Sequence, residues 1–258
     1  MKIILMKFKG PLQSYGTDSH FETRHTDDHP SKGAVLGLVA AALGIRREES
    51  EKLRKLCNLH MVVRVDQVGQ RNREFQIAAK YKKTGDHERN YVTYRYYLED
   101  AVFLVALEGE DDLIKCIYEA LKRPYFALFY GRRSCPVNYD FLIGLFDGTA
   151  MEQIQNQPWL AADWYQKKYA KQEKIRLDVY GDKICMPKAR QKVLRRDQPV
   201  SFSQMGRQHD LRFEVHEIVR IENPAYVAPD IQTENGIFVA STETIQTEHD
   251  AFAALMEE

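Results

Sequence analysis

No apolar run in this chain approaches about 20 residues, which excludes a membrane-spanning helix. The four cysteines (Cys57, Cys116, Cys135 and Cys185) include no C-x-x-C pair, so neither a zinc knuckle nor a disulfide framework is suggested. Reduced thiols in a cytosolic chain are the expectation. The opening MKIILMKFKG has too short an apolar stretch for a secretory signal and no small-residue cleavage site. Internal repeats and low-complexity tracts are absent too. Net charge is also missing, with 37 Lys and Arg against 37 Asp and Glu. What remains is ordinary for a folded protein: 258 residues, 44% hydrophobic and 29% charged. That excludes wholesale disorder and allows one or two domains with a sizeable core.

The zero balance hides an asymmetry. Residues 221–258 hold eight carboxylates and no Lys or Arg, so residues 1–220 carry 37 basic against 29 acidic residues, a net of +8. A basic body with an acidic extension suits a polyanion partner, although uneven surface charge gives the same count.

Along the chain, Lys2–Phe8 reads as a strand ended by Gly10-Pro11. Residues 10–30 have no period and form a long loop with three histidines. PSKGAVLGLVAAALGI then predicts a helix, with Ser31 as N-cap, Val35, Leu38, Val39 and Ala42 on its apolar face, and Gly44 as its stop. A short helix is expected over 47–56 and a strand over 60–65. Two β-prone runs, 74–80 and 91–97, flank KTGDHERN and predict a hairpin turning around 84–89. Strand 101–107, helix 110–122 and strand 124–130 follow, with further strands at 175–180 and 211–221 and a terminal helix over 246–258. With the hairpin set aside, the order β, α, β, β, α, β is that of a ferredoxin-like fold.

GPLQSYG at 10–16, ETRHT at 22–26, PSKGAVLGLVAAALGIRRE at 30–48, YRYYLEDAVFLVAL at 94–107, GRRSCP at 131–136 and RRDQPVSF at 195–202 occur in one order. Together they resemble the CasD family of RAMP-superfamily subunits from type I-E Cascade complexes. The resemblance implies an α+β fold with a ferredoxin-like (RRM/RAMP) βαββαβ core over 1–135. It implies an inserted thumb hairpin at 66–98, short here, and a smaller C-terminal β-containing region at 136–220; the acidic extension 221–258 has no counterpart. It further implies binding of the CRISPR RNA 5′ handle, docking to the backbone subunit CasC and the large subunit CasA in a cytoplasmic hetero-oligomer, no cofactor and no catalysis. A related type I-C form cuts RNA itself.

Single-stranded RNA needs cations for phosphates, aromatic faces for bases and close backbone approach. Three segments offer that mix. In 10–32 and its helix start, Arg24 suits a bidentate phosphate contact, Tyr15 a base stack, and Ser31, Lys32 and Gly33 a phosphate at a helix N-terminus. The same residues also make a plain solvated loop with a capped helix. In GRRS, Arg132 and Arg133 point to opposite faces if the strand continues, one toward RNA and one toward an ion pair, with Ser134 beside them. In the hairpin, Arg73, Lys82, Lys83, Tyr94 and Arg95 are the basic and aromatic candidates. A fourth basic run, 183–212, includes Lys188, Arg190, Lys192, Arg195 and Arg196.

Two alternatives stay open. A metal-independent endoribonuclease would draw on Tyr15, His20, His25 and Lys32 to deprotonate a 2′-hydroxyl. A protein-only scaffold would turn the basic patches toward acidic subunits. His20, His25 and His29 with Asp27 and Asp28 lack the spacing of a zinc motif, so no metal is expected.

Overall fold

A computed structural model describes residues 1–18 and 22–228. The architecture is mixed α and β, dominated by antiparallel sheet. The main sheet has seven strands: β1 (Lys2–Lys9), β4 (His60–Gln67), β7 (Val102–Gly109), β8 (Leu142–Asp147), β9 (Lys174–Asp182), β10 (Gln191–Ser201) and β11 (Gln208–Glu222). Its spatial order is β10-β11-β9-β4-β7-β1-β8. A second sheet joins β2 (Leu12–Gln13), β3 (Thr23–Arg24), β5 (Gln70–Tyr81) and β6 (His87–Glu99). Residues Met1–Val227 form one compact unit.

The inner strands are apolar on both faces because both are covered. On β1, Ile4, Met6 and Phe8 enter one core, and the alternate residues Ile3 and Leu5 enter the other. The first core is roofed by α1 (Lys32–Ala42) and α3 (Asp111–Lys122), which contribute Val35, Leu36 and Val39 and then Ile114, Ile117 and Leu121. The second is covered by α4 (Ala150–Asn156) and by the chain around Trp159. There the buried Arg64 donates to the carbonyls of Ile154, Gln157 and Pro158 and pairs with Asp66 at 2.6 Å. Two further short helices, α2 (Ser50–Leu56) and α5 (Asp163–Lys168), complete the described residues.

α1 begins and ends as its sequence demands. The Ser31 side chain accepts from the Ala34 N–H at 3.4 Å. Gly44, at φ 72°, closes the helix while the Gly44 and Ile45 N–H groups donate to the Ala41 and Ala40 carbonyls.

The thumb is longer than its sequence suggests, with strands of 12 and 13 residues. It reverses through Lys82–Asp86, where Gly85 sits at φ 91°. One expected strand is corrected. Residues 124–130 form no strand, only an isolated bridge from Phe129 to Pro136. The Tyr125 and Phe126 N–H groups instead donate to the Ala42 and Ala41 carbonyls, satisfying the open end of α1. The strand beside β1 is β8, later in the chain. The terminal helix expected at 246–258 lies outside the described residues.

Candidate nucleic-acid interface

Segments far apart in sequence meet beside the thumb base. Ser14 in the first loop donates its N–H to the Tyr130 carbonyl at 3.2 Å. Gly131 sits at φ 78° against Ser14, where a Cβ would collide with the Ser14 carbonyl, so only glycine fits. The next residue, Arg132, is a latch. Its guanidinium donates to the carbonyls of Tyr96 (3.0 Å) and Arg24 (2.9 Å) and lies 4.6 Å over the Tyr97 ring. GRRS thus ties the first loop, β3 and β6 together. Arg133 is exposed. The alternation expected for this pair presumed a continuing strand; here the chain turns instead, and Arg132 binds carbonyl oxygens rather than a carboxylate.

These segments form one wall of a cleft of about 1410 Å³. Arg24, Arg132 and Arg133 line the thumb side, Arg46 and Arg47 the loop after α1, and Arg196 and Arg207 the C-terminal hairpin. Among the described residues, only two carboxylate residues, Glu48 and Asp197, share that lining. Gly33 and Gly37 on α1 leave room at the base, with His209 and Phe202 against them. Burial and the neighbouring Arg207 lower the His209 pKa, favouring the neutral ring. His25 stacks on Tyr96 with ring centres 5.1 Å apart, and Phe126 and Phe129 supply further aromatic lining. The cleft therefore offers positive charge, aromatic faces and small residues together.

Behind it lies a second, buried cluster of charge. Lys32 Nζ donates to Asp182 at 2.9 Å, and the Lys32 N–H donates to Asp197 at 2.8 Å. Arg212 pairs with Asp197, Asp182 and Glu214 at 2.6, 3.1 and 2.7 Å. Arg195 pairs with Asp27 and Glu214 at 2.6 and 2.9 Å. His29 contacts Glu214 at 3.1 Å and stacks on Tyr180. Burial alone would raise the Glu214 pKa, yet His29, Arg195 and Arg212 hold it at about 2. The same carboxylates raise the pKa of Arg195 and Arg212 against the effect of burial.

This cluster reassigns several candidate residues. Lys32 is 4% exposed, with its ammonium committed to Asp182. The start of α1 receives the Asp197 carboxylate from within the chain, where the sequence suggests a phosphate. Tyr15 is 1% exposed. Its hydroxyl donates to Gln13, its ring meets Phe103 edge-on, and burial raises its pKa well above the ordinary value. Tyr15 and Lys32 are thus core groups, whereas His25 is exposed at the cleft, and His20 lies outside the described residues. Asp27 turns to Arg195 and Asp28 to Arg71, so the histidine-rich loop spends its carboxylates on ion pairs. Ser134 is exposed in its loop. On the thumb, Arg73 lies 5.1 Å over Tyr94, and Lys82 and Lys83 form the exposed turn. Arg95 pairs in register with Arg24, its buried Nε without a partner. Arg46, Arg47, Phe202 and His209 carry no local signal that singles them out in the sequence. They come together only through the fold.

The CRISPR-associated protein (Cas_Cas5) family matches residues 3–214. The chain belongs to this family. It is 30% identical over 157 residues to the CRISPR system Cascade subunit CasD of Escherichia coli (strain K12), covering 55% of this chain and 70% of that one. A solved chain from a CRISPR RNA-guided surveillance complex superposes with a TM-score of 0.72 at 24% identity, covering 89% of this chain and 95% of that chain. A crystal structure of a Cas protein gives 0.58 at 30% identity, covering 87% and 97%.

Proposed function

We propose that this protein is a non-catalytic RNA-binding subunit of a Cascade-type CRISPR surveillance complex, seating the 5′ handle of the guide RNA in the arginine-lined cleft. The observation that carries this reading is the excess of arginine over carboxylate in the cleft, beside a cluster in which the chain neutralises its own arginines. Likeness to CasD supplies the complex, and the backbone subunit CasC and large subunit CasA are the proposed protein partners in the cytoplasm. The run β1–α1–β4–β7–α3–β8, with β4-β7-β1-β8 side by side, supports a ferredoxin-like core. The thumb presents Phe75, Ile77, Val92 and Tyr94 as an exposed face, since Phe75 pairs with Tyr94 and Ile77 with Val92. A protruding ribbon of this kind suits the adjacent backbone subunit. Burial of Tyr15 and Lys32 speaks against the endoribonuclease alternative.

The test incubates the protein with labelled repeat RNA and with mature 5′ handle RNA, in chelator, at two salt concentrations. Handle binding that weakens steeply with salt and leaves both RNAs intact is the expected outcome. Site-specific cleavage would overturn the non-catalytic reading, and absence of binding would favour a protein-only scaffold.

A further inference from the structure

The second face of the seven-stranded sheet is covered only in part. Ala150 and Ile154 of α4, with Trp159, Met186 and Ala189, enclose a core that includes Leu5, Val62, Leu104, Ala106 and Val215. Among the described residues, that cover stops at Val215. Phe213 and Leu211 follow on β11 at two-residue steps, so they share the face of Val215. Leu194 on the edge strand β10 stands directly opposite Phe213. These three side chains are 53% (Leu194), 51% (Leu211) and 51% (Phe213) exposed. Lys192 stands opposite Val215, its ammonium 4.3 Å over the Phe213 ring, and Arg196 stands opposite Leu211. An apolar triad is thus bracketed by two cations, and none of these three rungs of the ladder carries a carboxylate.

We propose that this face docks another protein subunit of the surveillance complex, through a partner surface with an apolar centre and carboxylates at its margin. The inference rests on the reading of the chain as a member of such a complex. Charge selects the occupant. A second copy laid on the same patch would set Lys192 and Arg196 against their own kind, whereas an acid-rimmed apolar surface complements them. Position supports it as well. Arg196 also lines the cleft, so a subunit seated on Leu194, Leu211 and Phe213 would adjoin the groove.

The experiment reconstitutes the complex from its purified subunits with wild-type chain, with the double variant Leu194→Asp, Phe213→Asp, and with Lys192→Glu. Incorporation is read by size-exclusion chromatography, and handle-RNA affinity is read on each free chain. Both variants are expected to enter the complex at least about tenfold less well than wild type, the scale of losing an interface anchor. Handle affinity should stay within about twofold, because none of the three residues lines the cleft. Lys192→Glu changes an exposed side chain and guards against misfolding of the double variant. Full incorporation of both variants would overturn the proposal. So would dimerisation of the wild-type chain that the variants abolish, or a selective loss of RNA binding in the double variant. If the wild-type chain fails to bind handle RNA, the RNA reading falls while the incorporation measurement still decides the docking face.

Discussion

Two cationic clusters meet at the first turn of α1 and share Asp197. In the buried one, Lys32, Arg195 and Arg212 face Asp27, Asp182, Asp197 and Glu214. In the cleft, arginines from four segments meet little opposing charge. The residue types are the same, and the sequence mixes them: Arg195 is enclosed by carboxylates while its neighbour Arg196 lines the cleft. The difference teaches that a basic run becomes a binding surface only where the fold withholds carboxylates from it.

The sharpest way to break this contrast is to remove a cation from the buried cluster. Arg212→Ala leaves Asp182, Asp197 and Glu214 without their shared partner and should cost about 3–5 kcal/mol in urea denaturation, the usual penalty of an uncompensated buried charge. A loss under about 1 kcal/mol would show the cluster to be slack. Acid attacks the same place. The Glu214 carboxyl has a folded pKa of about 2, below its unfolded value, so its stabilisation is present above the unfolded pKa and is lost as pH falls toward about 2. Roughly 3 kcal/mol should disappear between about pH 4.5 and pH 2, and Glu214→Gln should flatten that part of the stability profile.

The cleft should respond in the opposite manner. Arg24→Ala or Arg133→Ala should weaken handle binding by about 1–3 kcal/mol and lower the salt slope by about one, with an unchanged melting temperature. Arg132→Ala joins the two behaviours, losing affinity and melting earlier, because its fork holds the Tyr96 and Arg24 carbonyls. Arg132→Lys should not restore both, since one ammonium cannot reproduce the planar fork. Unchanged affinity across these variants would remove the thumb-side wall from the RNA site. The smallest effect belongs to Ser31→Ala, which removes a long N-cap bond and should cost about 0.5–1 kcal/mol of stability in urea denaturation.

The features legible in the sequence were those set by local chemistry. Ser31 and Gly44 bound α1 because capping and left-handed backbone are properties of single residues. The thumb was legible because two β-prone runs flank one turn. β10 was not, since its QKVLRRDQPV reads as a charged loop until β11 pairs with it, and Pro199 is tolerated at an edge beside a bulge. β8 was missed because residues 124–130 look like a better strand until the end of α1 claims their N–H groups. Among the candidate residues, Arg24, Arg132 and Arg133 do line one cleft. Lys32 misled because its partner Asp182 lies 150 positions away, beyond any periodicity.

That separation has a consequence for how the protein is made. α1 is synthesised early, but the carboxylate on its first N–H arrives with Asp197 and the guanidinium holding that carboxylate with Arg212. A nascent chain stopped before β10 has Lys32 and no Asp197 to steady the helix that floors the groove. The groove is therefore finished only once β10 and β11 have been made, and a chain stopped before them has no settled floor for it.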